Sequence, residues 1–354
     1  MRKIKVAALL LSGVIAASVL AGCGSIDKNK TAAVFDGQEI GLGLPNFAAR
    51  LQQAQDDDLY AYYFGGSGNV WESDLTGTGV TAEEEVKNAV MDNLFAMYTL
   101  EAHMEEYGVE LSGEEQEKID AAAASFLASN SKEALAELGA DKEIVQEYLR
   151  LLTIQQKMRQ AIIADVDTNV SDEEANTSSY SYVRVSKTTY TDAEGKSVEY
   201  TDEEVKELAK TVASFAAEAK ESSLEDAAAA HSYTVSTGTF TADDEVLDEA
   251  VLTALKGLEE GALSGVIDTE NAYYVVRLDA KTDQAATEAT RAGIISERET
   301  KLFEDTLSGW QESHTWEVKK SVWKKVKFDR GFTTIEPASE ETEPTTEQAE
   351  ATEQ

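Results

Sequence analysis

The sequence predicts an α+β protein in which a helix-rich part flanks a smaller part that contains strands. Only one proline, Pro45, lies between the two ends of the chain, and alanine, glutamate, leucine and lysine recur at helical spacing. Three alternating segments, over 180–186, 233–240 and 272–278, interrupt this pattern and are separated by helices. That order of elements is typical of an α+β domain of about a hundred residues.

The first residues have the features of a secretory signal. Basic residues within the first five positions precede an apolar run over 6–20, which is too short for a membrane span. Leu20-Ala21-Gly22-Cys23 then resembles the lipobox of bacterial lipoproteins, which implies a diacylglycerol on Cys23. The alternative is an ordinary signal peptide that leaves a free thiol. We expect the body to be extracytoplasmic and lipid-anchored to the cell membrane through Cys23.

Charge and composition exclude some classes of partner. The formal net charge of −36 argues against nucleic acid, because phosphate backbones are bound by Lys and Arg. A single cysteine rules out internal disulfides. From Glu336 to Gln354 there is no Lys, Arg or large apolar residue, so we expect a disordered acidic tail. This tail is a solvated spacer or, alternatively, a partner-binding segment.

The N-terminal part begins with a hairpin pattern. Residues 31–40 alternate around Asp36-Gly37, a dipeptide that favours a tight turn. A helix is predicted over 45–55, with Pro45 in its first turn. The stretch 60–79 mixes aromatic residues with glycines and is predicted to be an irregular loop.

Capping boxes predict the helices that follow. Thr81 with Glu84 starts a helix that should end near Gly108, and Ser112 with Glu115 starts the next. A long amphipathic helix is predicted over 141–165. Together these segments predict a helical module.

The central part and the C-terminal part follow the same rules. Helices are predicted over 201–219, 224–230 and 247–255, between the three strands. A further helix over 287–313 returns to the amphipathic style, and 316–328 suggests a strand or strand pair. The predicted organisation is a signal (1–22), a lipidated tether (23–30), an N-terminal helical module (31–170), a central domain (171–283), a C-terminal helix and strand (284–330) and a tail (331–354).

This layout resembles the extracytoplasmic foldases of the PrsA and SurA type. The resemblance rests on the lipoprotein signal, the VFDGQEI segment at 34–40, the central domain and the returning C-terminal helix. Its most specific part, 257–278 (GLEEGALSGVIDTENAYYVVRL), is similar to the parvulin stretch that ends in a Gly-Tyr-His strand. The resemblance implies one helix-rich chaperone module, formed by both ends of the chain, with an inserted parvulin-like peptidyl-prolyl isomerase domain.

Parvulins use two histidines on adjacent strands, a nearby Cys or Asp, and an apolar floor. The resemblance places Tyr182 and Tyr274 at the two histidine positions and Ala272 at the glycine position, whereas Phe240 and Leu247 supply the apolar walls. The loop that should carry Cys or Asp is shortened to 231–233. Because phenols ordinarily stay neutral where histidines titrate, the resemblance implies a degenerate site with weak or absent isomerase activity.

The histidines and the acidic triplets indicate structural rather than catalytic or metal-binding roles. His103, His231 and His314 lie far apart in sequence without metal-ligand spacing, so no metal or cofactor is predicted. The acidic triplets at 56–58 and 83–85 do not have the spacing of a calcium loop. One aromatic group has two interpretations, since its rings fill a gap between helices or line a cradle for unfolded clients. Its members are Tyr60, Tyr62, Tyr63, Phe64 and Trp71.

The sequence therefore predicts a membrane-tethered foldase or chaperone that holds newly exported, unfolded polypeptides. An active isomerase, in which tyrosines substitute for the histidines, is the first alternative. A solute-binding lipoprotein is the second, and it would need two α/β lobes with parallel sheets. The sequence leaves both a monomer and a homodimer possible. An acidic lipoprotein of this kind is expected on the outer face of the membrane of a single-membrane bacterium.

Overall fold

The computed structural model describes residues 14–17, 26–65, 70–329 and 331–335. Cys23 and the predicted tail from Glu336 onward lie outside these ranges. The chain divides into two compact units, of which the first contains Met1–Asp165 and Leu302–Gln354 and the second Val166–Lys301. The second unit is thus inserted, in sequence, between two segments that fold together.

Both units are built from helices and short strands. The helices are α1 Gly43–Phe64, α2 Ala82–Ala102, α3 Gly113–Ser129, α4 Lys132–Leu138, α5 Lys142–Ile163, α6 Asp172–Ala175, α7 Asp202–Glu221, α8 Leu224–Ala230, α9 Glu249–Lys256, α10 Gln284–Gln311 and α11 Lys320–Trp323. The strands are β1 Val14–Ala17, β2 Thr31–Phe35, β3 Gln38–Gly41, β4 Ser178–Ser186, β5 Thr189–Thr191, β6 Ser197–Glu199, β7 Ser236–Phe240, β8 Ile267–Asp268, β9 Ala272–Ala280, β10 Trp316–Val318 and β11 Phe332–Ile335. The predicted α+β class is confirmed.

The predicted N-terminal hairpin is confirmed and has a third strand. Asp36 (φ 46°) and Gly37 (φ 87°) both adopt left-handed conformations, as the tightest hairpin turns require. The C-terminal β10 pairs antiparallel with β2, so that Trp316 lies opposite Phe35. The two ends of the first unit are therefore joined by a backbone ladder.

Capping side chains start the helices of the first unit where the sequence predicts them. The Thr81 hydroxyl accepts a hydrogen bond from the Glu84 N–H at 3.3 Å. Ser112 and Glu115 form a reciprocal capping box. The helix predicted to end near Gly108 instead ends at Ala102 and is followed by a 3-10 turn, Glu105–Tyr107.

Three predictions for the first unit need correction. Helix α1 does not stop near residue 55 but continues to Phe64, so the first part of the predicted aromatic loop is helical. The segment 316–328 is not an extended strand pair, because α11 follows β10 directly. The tail predicted from residue 331 begins with a strand, because β11 pairs antiparallel with β1, which lies within the predicted signal.

The core of the first unit draws on both ends of the chain. Side chains from the hairpin, α1, α2 and α11 share one buried cluster, which includes Phe35, Leu94, Trp71, Trp323 and Phe328. A second cluster lies between α2 and α5 and receives Leu302, Phe303, Leu307 and Trp310 from α10. Along the described residues, no helix is both long enough and apolar enough to cross a bilayer.

The second unit is built on a four-stranded antiparallel sheet in the order β7-β4-β9-β8. One face packs on α7 and α8 through Val183, Phe215 and Val275. The other face packs on α9 through Val251 and Leu255. Every strand pair within the described residues is antiparallel, unlike the parallel sheets expected of a solute-binding lipoprotein.

Candidate functional site

The α9 side of the sheet brings two of the predicted site residues together. Strands β4 and β9 pair with Tyr182 opposite Val276 and Arg184 opposite Tyr274. Because side chains alternate along a strand, Tyr182 and Tyr274 project from the same face as diagonal neighbours. Their ring centroids are 6.1 Å apart.

A third tyrosine extends this group. The ring of Tyr180 lies 5.4 Å from that of Tyr182 and meets the ring of Phe240 edge-on at 5.8 Å. We call Tyr180, Tyr182 and Tyr274 the tyrosine cluster. Phe240 and Leu247 belong to the same hydrophobic cluster, so the structure brings together all four positions that the sequence assigned to the site.

Gly238 on β7 makes room for the tyrosine cluster. It lies opposite Tyr180 in the β4–β7 ladder. A Cβ atom at this position would lie 2.8 Å from Cε1, Cζ and Oη of Tyr180. The glycine is therefore needed because the Tyr180 ring covers its backbone.

A loop after β7 presents the apolar wall. One carboxylate oxygen of Asp244 accepts hydrogen bonds from the N–H groups of Val246 (2.9 Å) and Leu247 (2.8 Å). These bonds fix the backbone that places Leu247 in the cluster. Sequence reasoning missed Asp244, although an aspartate shortly before a helix start is a common signal for such a turn.

The tyrosine cluster has a cation on one side and a carboxylate on the other. Arg184 Nε donates a hydrogen bond to Tyr274 Oη at 3.0 Å. Burial raises the pKa of Tyr180, and the neighbouring Tyr182, Asp244 and Tyr274 raise it further. The cluster therefore offers hydroxyl groups above an apolar floor, and the buried Tyr180 remains a neutral phenol.

One known protein family has a model that matches part of the second unit. Residues 185–292 match the family model of the PPIC-type PPIASE domain. Over these residues the chain is similar to PPIC-type peptidyl-prolyl isomerase domains. Tyr274, Phe240 and Leu247 lie within the matched segment, whereas Tyr182 lies three residues before it on the same strand.

Solved structures with similarity to the chain include two foldases and a SurA-like chaperone. The foldase PrsA of Streptococcus pneumoniae is 17% identical, with 72% of this chain and 97% of that chain covered and a TM-score of 0.30. PrsA of Lactococcus lactis is 14% identical, with 84% and 99% covered and a TM-score of 0.32. A SurA-like chaperone of Campylobacter jejuni is 14% identical, with 82% and 99% covered and a TM-score of 0.27.

At such low identities and TM-scores, these likenesses do not establish a shared activity. No curated protein matches the chain. What the comparisons show is therefore a likeness to PPIC-type isomerase domains over residues 185–292.

The loop at 231–233, where the resemblance expects a Cys or Asp, turns away from the tyrosine cluster. His231 ends α8 and interacts with Glu218 at 2.9 Å. Its ring contacts those of Phe215 and Tyr233, which belong to the cluster under α7 and α8 on the opposite face of the sheet. His231 thus stands apart from Tyr182 and Tyr274, and it does not replace a catalytic side chain there.

The aromatic group of the first unit has both buried and exposed members. Trp71 is buried, its ring contacts those of Tyr60 and Phe328, and its Nε1 donates to Asp57 at 2.8 Å. Tyr62 and Tyr63 are 83% and 67% exposed at the end of α1. Trp71 therefore belongs to the core, with Tyr60 packed against it. Tyr62 and Tyr63 are accessible to a partner.

Among the described residues, no group of three or more His, Cys, Asp or Glu side chains has the arrangement of a metal site. One residue of each acidic triplet instead accepts a hydrogen bond from a neighbouring segment. Glu83 accepts from the Phe328 N–H at 2.9 Å, and Asp57 accepts from the Trp71 indole N–H.

Proposed function

We propose that the chain is a membrane-anchored extracytoplasmic foldase that holds newly exported polypeptides, with weak or no isomerase activity of its own. The single observation that carries this proposal is the pair Tyr182 and Tyr274. Their rings lie 6.1 Å apart within one cluster with Phe240 and Leu247, at the positions where parvulins are expected to have histidines. In this proposal, phenols stand beside an apolar floor at the positions where the resemblance expects histidines.

The chemistry of the reaction explains why this replacement matters. Rotation about a peptide bond crosses a barrier of about 18–20 kcal/mol, and catalysis needs groups that stabilise the twisted amide. An apolar floor of Phe240 and Leu247 suits a proline ring, and the hydroxyls of Tyr182 and Tyr274 supply neutral hydrogen-bond donors. A histidine can carry a charge near neutral pH, which strengthens such a bond, whereas a neutral phenol cannot.

Holding of unfolded chains is supported by the first unit. Leu59, Tyr62 and Tyr63 on the last turns of α1, and Leu75 in the following loop, expose apolar surface. Scattered exposed apolar side chains are common, but aromatic rings offer contact area without demanding a particular sequence. A formal charge of −36 keeps molecules apart while they carry such clients.

Membrane anchoring rests on the sequence around Cys23. Two acyl chains on one residue give durable attachment, whereas a single chain is marginal. Growth with an alkyne-bearing fatty acid should label the wild-type chain and leave Cys23→Ala unlabelled and released from the membrane fraction. An unlabelled wild-type chain would remove the anchor from the proposal.

The catalytic part of the proposal is tested with a fluorogenic X-Pro peptide. The purified chain should accelerate isomerisation weakly or not at all, and Tyr182→His with Tyr274→His should increase the rate if the pocket is otherwise intact. Robust turnover by the wild-type chain would overturn the claim that the site is degenerate.

The holding part is tested with an unfolded client. At stoichiometric concentration the chain should suppress aggregation of a reduced, denatured protein, and Tyr62→Ser with Tyr63→Ser should weaken that suppression. A control in the other unit is Tyr190→Ser, which removes a half-buried tyrosine that contacts Tyr200 in a short hairpin. Failure of the wild-type chain to suppress aggregation would reject a holding role.

One contact favours an active isomerase as a second candidate. Arg184 donates to the Tyr274 oxygen at 3.0 Å, which polarises the phenol and makes its O–H a stronger donor. In that case Tyr182→Phe with Tyr274→Phe should abolish turnover, whereas a holding protein would keep its effect on aggregation.

A further inference from the structure

Four ionisable side chains of the first unit are linked one to the next by short polar contacts. His103 Nε2 lies 3.1 Å from His314 Nε2. The Nδ1 atoms of the two rings point outward, to Glu106 Oε1 at 2.8 Å and to Asp36 Oδ2 at 2.6 Å respectively. The order is therefore Glu106, His103, His314, Asp36, although positions 36 and 314 lie far apart in sequence.

The number of protons on the two histidine rings follows from the hydrogen bonds among these four side chains. A carboxylate only accepts, so each outer contact requires a proton on the histidine Nδ1 atom. The Thr315 N–H, the His314 ring and the Thr315 hydroxyl lower the pKa of Asp36 to about 2, which keeps that end ionised. The central contact needs one more proton, because two bare Nε2 lone pairs would repel each other. Two rings with three N–H groups amount to one imidazolium and one neutral imidazole.

The alignment of the two rings suits a shared proton. Their centroids are 5.3 Å apart, which is close to the largest separation that two imidazoles joined at 3.1 Å can have, so they meet nearly head-on. A metal ion bound by both nitrogens would need the rings to converge at an angle, as tetrahedral ligands do. The geometry therefore favours a hydrogen bond along the line between the two nitrogens.

The surroundings hold both rings in place. His103 stacks flat on Trp310, with centroids 4.1 Å apart, and His314 contacts Phe35. The titratable groups against the pair are Asp36 from the hairpin turn and Glu106 from the 3-10 turn after α2, and Tyr107 contacts Trp310. Both histidine side chains are about 15% exposed, so protons can still reach them.

We propose that His103 and His314 form a pH-sensitive latch, closed by one shared proton, that fastens the connection between α10 and β10 to the hairpin and to the end of α2. The latch opens when the third ring proton leaves at higher pH, because two lone pairs then face each other. It also opens when a fourth proton arrives at lower pH, because two N–H groups then face each other. Histidine is the side chain that proteins commonly use for switching near neutral pH.

The first test observes the three histidines of the full chain by NMR after labelling with ¹⁵N-histidine. With the latch closed, the spectra should show both Nδ1 atoms protonated and one proton shared between the two Nε2 atoms. His103→Gln should change the titration of His314, and His314→Gln should change that of His103. His231 provides the internal reference, because it has a carboxylate partner but belongs to the other unit.

The second test measures thermal unfolding of the wild type, both single variants and the double variant at intervals from pH 5 to 9. The latch predicts that the two substitutions are non-additive in melting temperature, with a maximum at intermediate pH and a decline on both sides. Additive or pH-independent effects would overturn the proposal. The proposal would also be overturned if His103→Gln left the titration of His314 unchanged and His314→Gln left that of His103 unchanged. This NMR result does not depend on how stable the variants are.

Discussion

The hydroxyl of Tyr274 accepts a hydrogen bond from the side chain of Arg184, which lies directly opposite on the neighbouring strand. The same guanidinium lies 6.0 Å from the centroid of the Tyr274 ring. This contact fixes one of the two phenols at the predicted histidine positions. Among the described residues, no such hydrogen bond is found for the hydroxyl of Tyr182.

The difference between the two phenols gives a first prediction. Tyr274→Phe removes the partner of Arg184 and should lower the free energy of unfolding by about 0.5–1.5 kcal/mol, toward the lower end because Arg184 is exposed. Tyr182→Phe is the matched control and should change stability less. Urea unfolding of both variants checks this order, and a larger loss for Tyr182→Phe would contradict it.

The close approach of Gly238 to Tyr180 gives a second prediction. In Gly238→Ala the new methyl group would overlap the Tyr180 ring at 2.8 Å, and displacing that ring should cost about 1–3 kcal/mol. Gly265→Ala is the control, because a Cβ atom there meets nothing within 4 Å. Thermal unfolding should separate the two variants clearly. Equal stability would mean that the ring moves freely and that the cluster is not tightly packed.

Much of this domain could be predicted from local sequence. Alternation predicted β4 and β9, and helical spacing predicted α7 and α8, because these signals act within a few residues. The contact between Gly238 and Tyr180 could not be predicted, because it depends on the register of two strands. The same applies to His103 and His314, whose partnership arises only when the two ends of the chain meet.

The errors in the first unit have equally local causes. The aromatic residues that end α1 are weak helix formers, and packing of Tyr60 against Trp71 outweighs that preference. Between residues 316 and 328 the apolar positions Val322, Trp323 and Val326 have helical spacing, whereas Trp316 and Val318 alternate. The strand pattern thus changes into a helix pattern within a few residues, so the prediction of a strand or strand pair for the whole segment 316–328 is wrong.

The divided aromatic group gives a third prediction. Trp71→Ala removes a buried ring and should cost about 3–5 kcal/mol, through the cavity and the loss of the bond to Asp57. Tyr62→Ala changes an exposed side chain and should stay within about 0.5 kcal/mol. Chemical unfolding measures both values. If Tyr62→Ala destabilised the chain as much as Trp71→Ala, the exposed ring would have to be part of the core.

The last prediction concerns Glu83, which ties the C-terminal segment to the start of α2. Burial alone would raise its pKa, but the Phe328 N–H and the ammonium groups of Lys327 and Lys87 lower it overall. Because the pKa is lowered in the folded state, the stabilising contribution is complete above the ordinary glutamate range and disappears as pH falls through the folded-state value. Glu83→Gln should therefore lower stability at pH 7 by about 1–3 kcal/mol and much less at pH 3.

The exposed neighbour Glu84 provides the matched control for Glu83, since both belong to the first turn of α2. Glu84→Gln loses a similar interaction with the helix N-terminus, so its effect measures the helix-end contribution alone. Denaturant unfolding of both variants at pH 7 and pH 3 gives the comparison. Equal losses at the two pH values for Glu83→Gln would mean that its contacts to Phe328 and Lys327 do not depend on its charge, and the carboxylate would then act only as a spacer between α2 and the C-terminal segment.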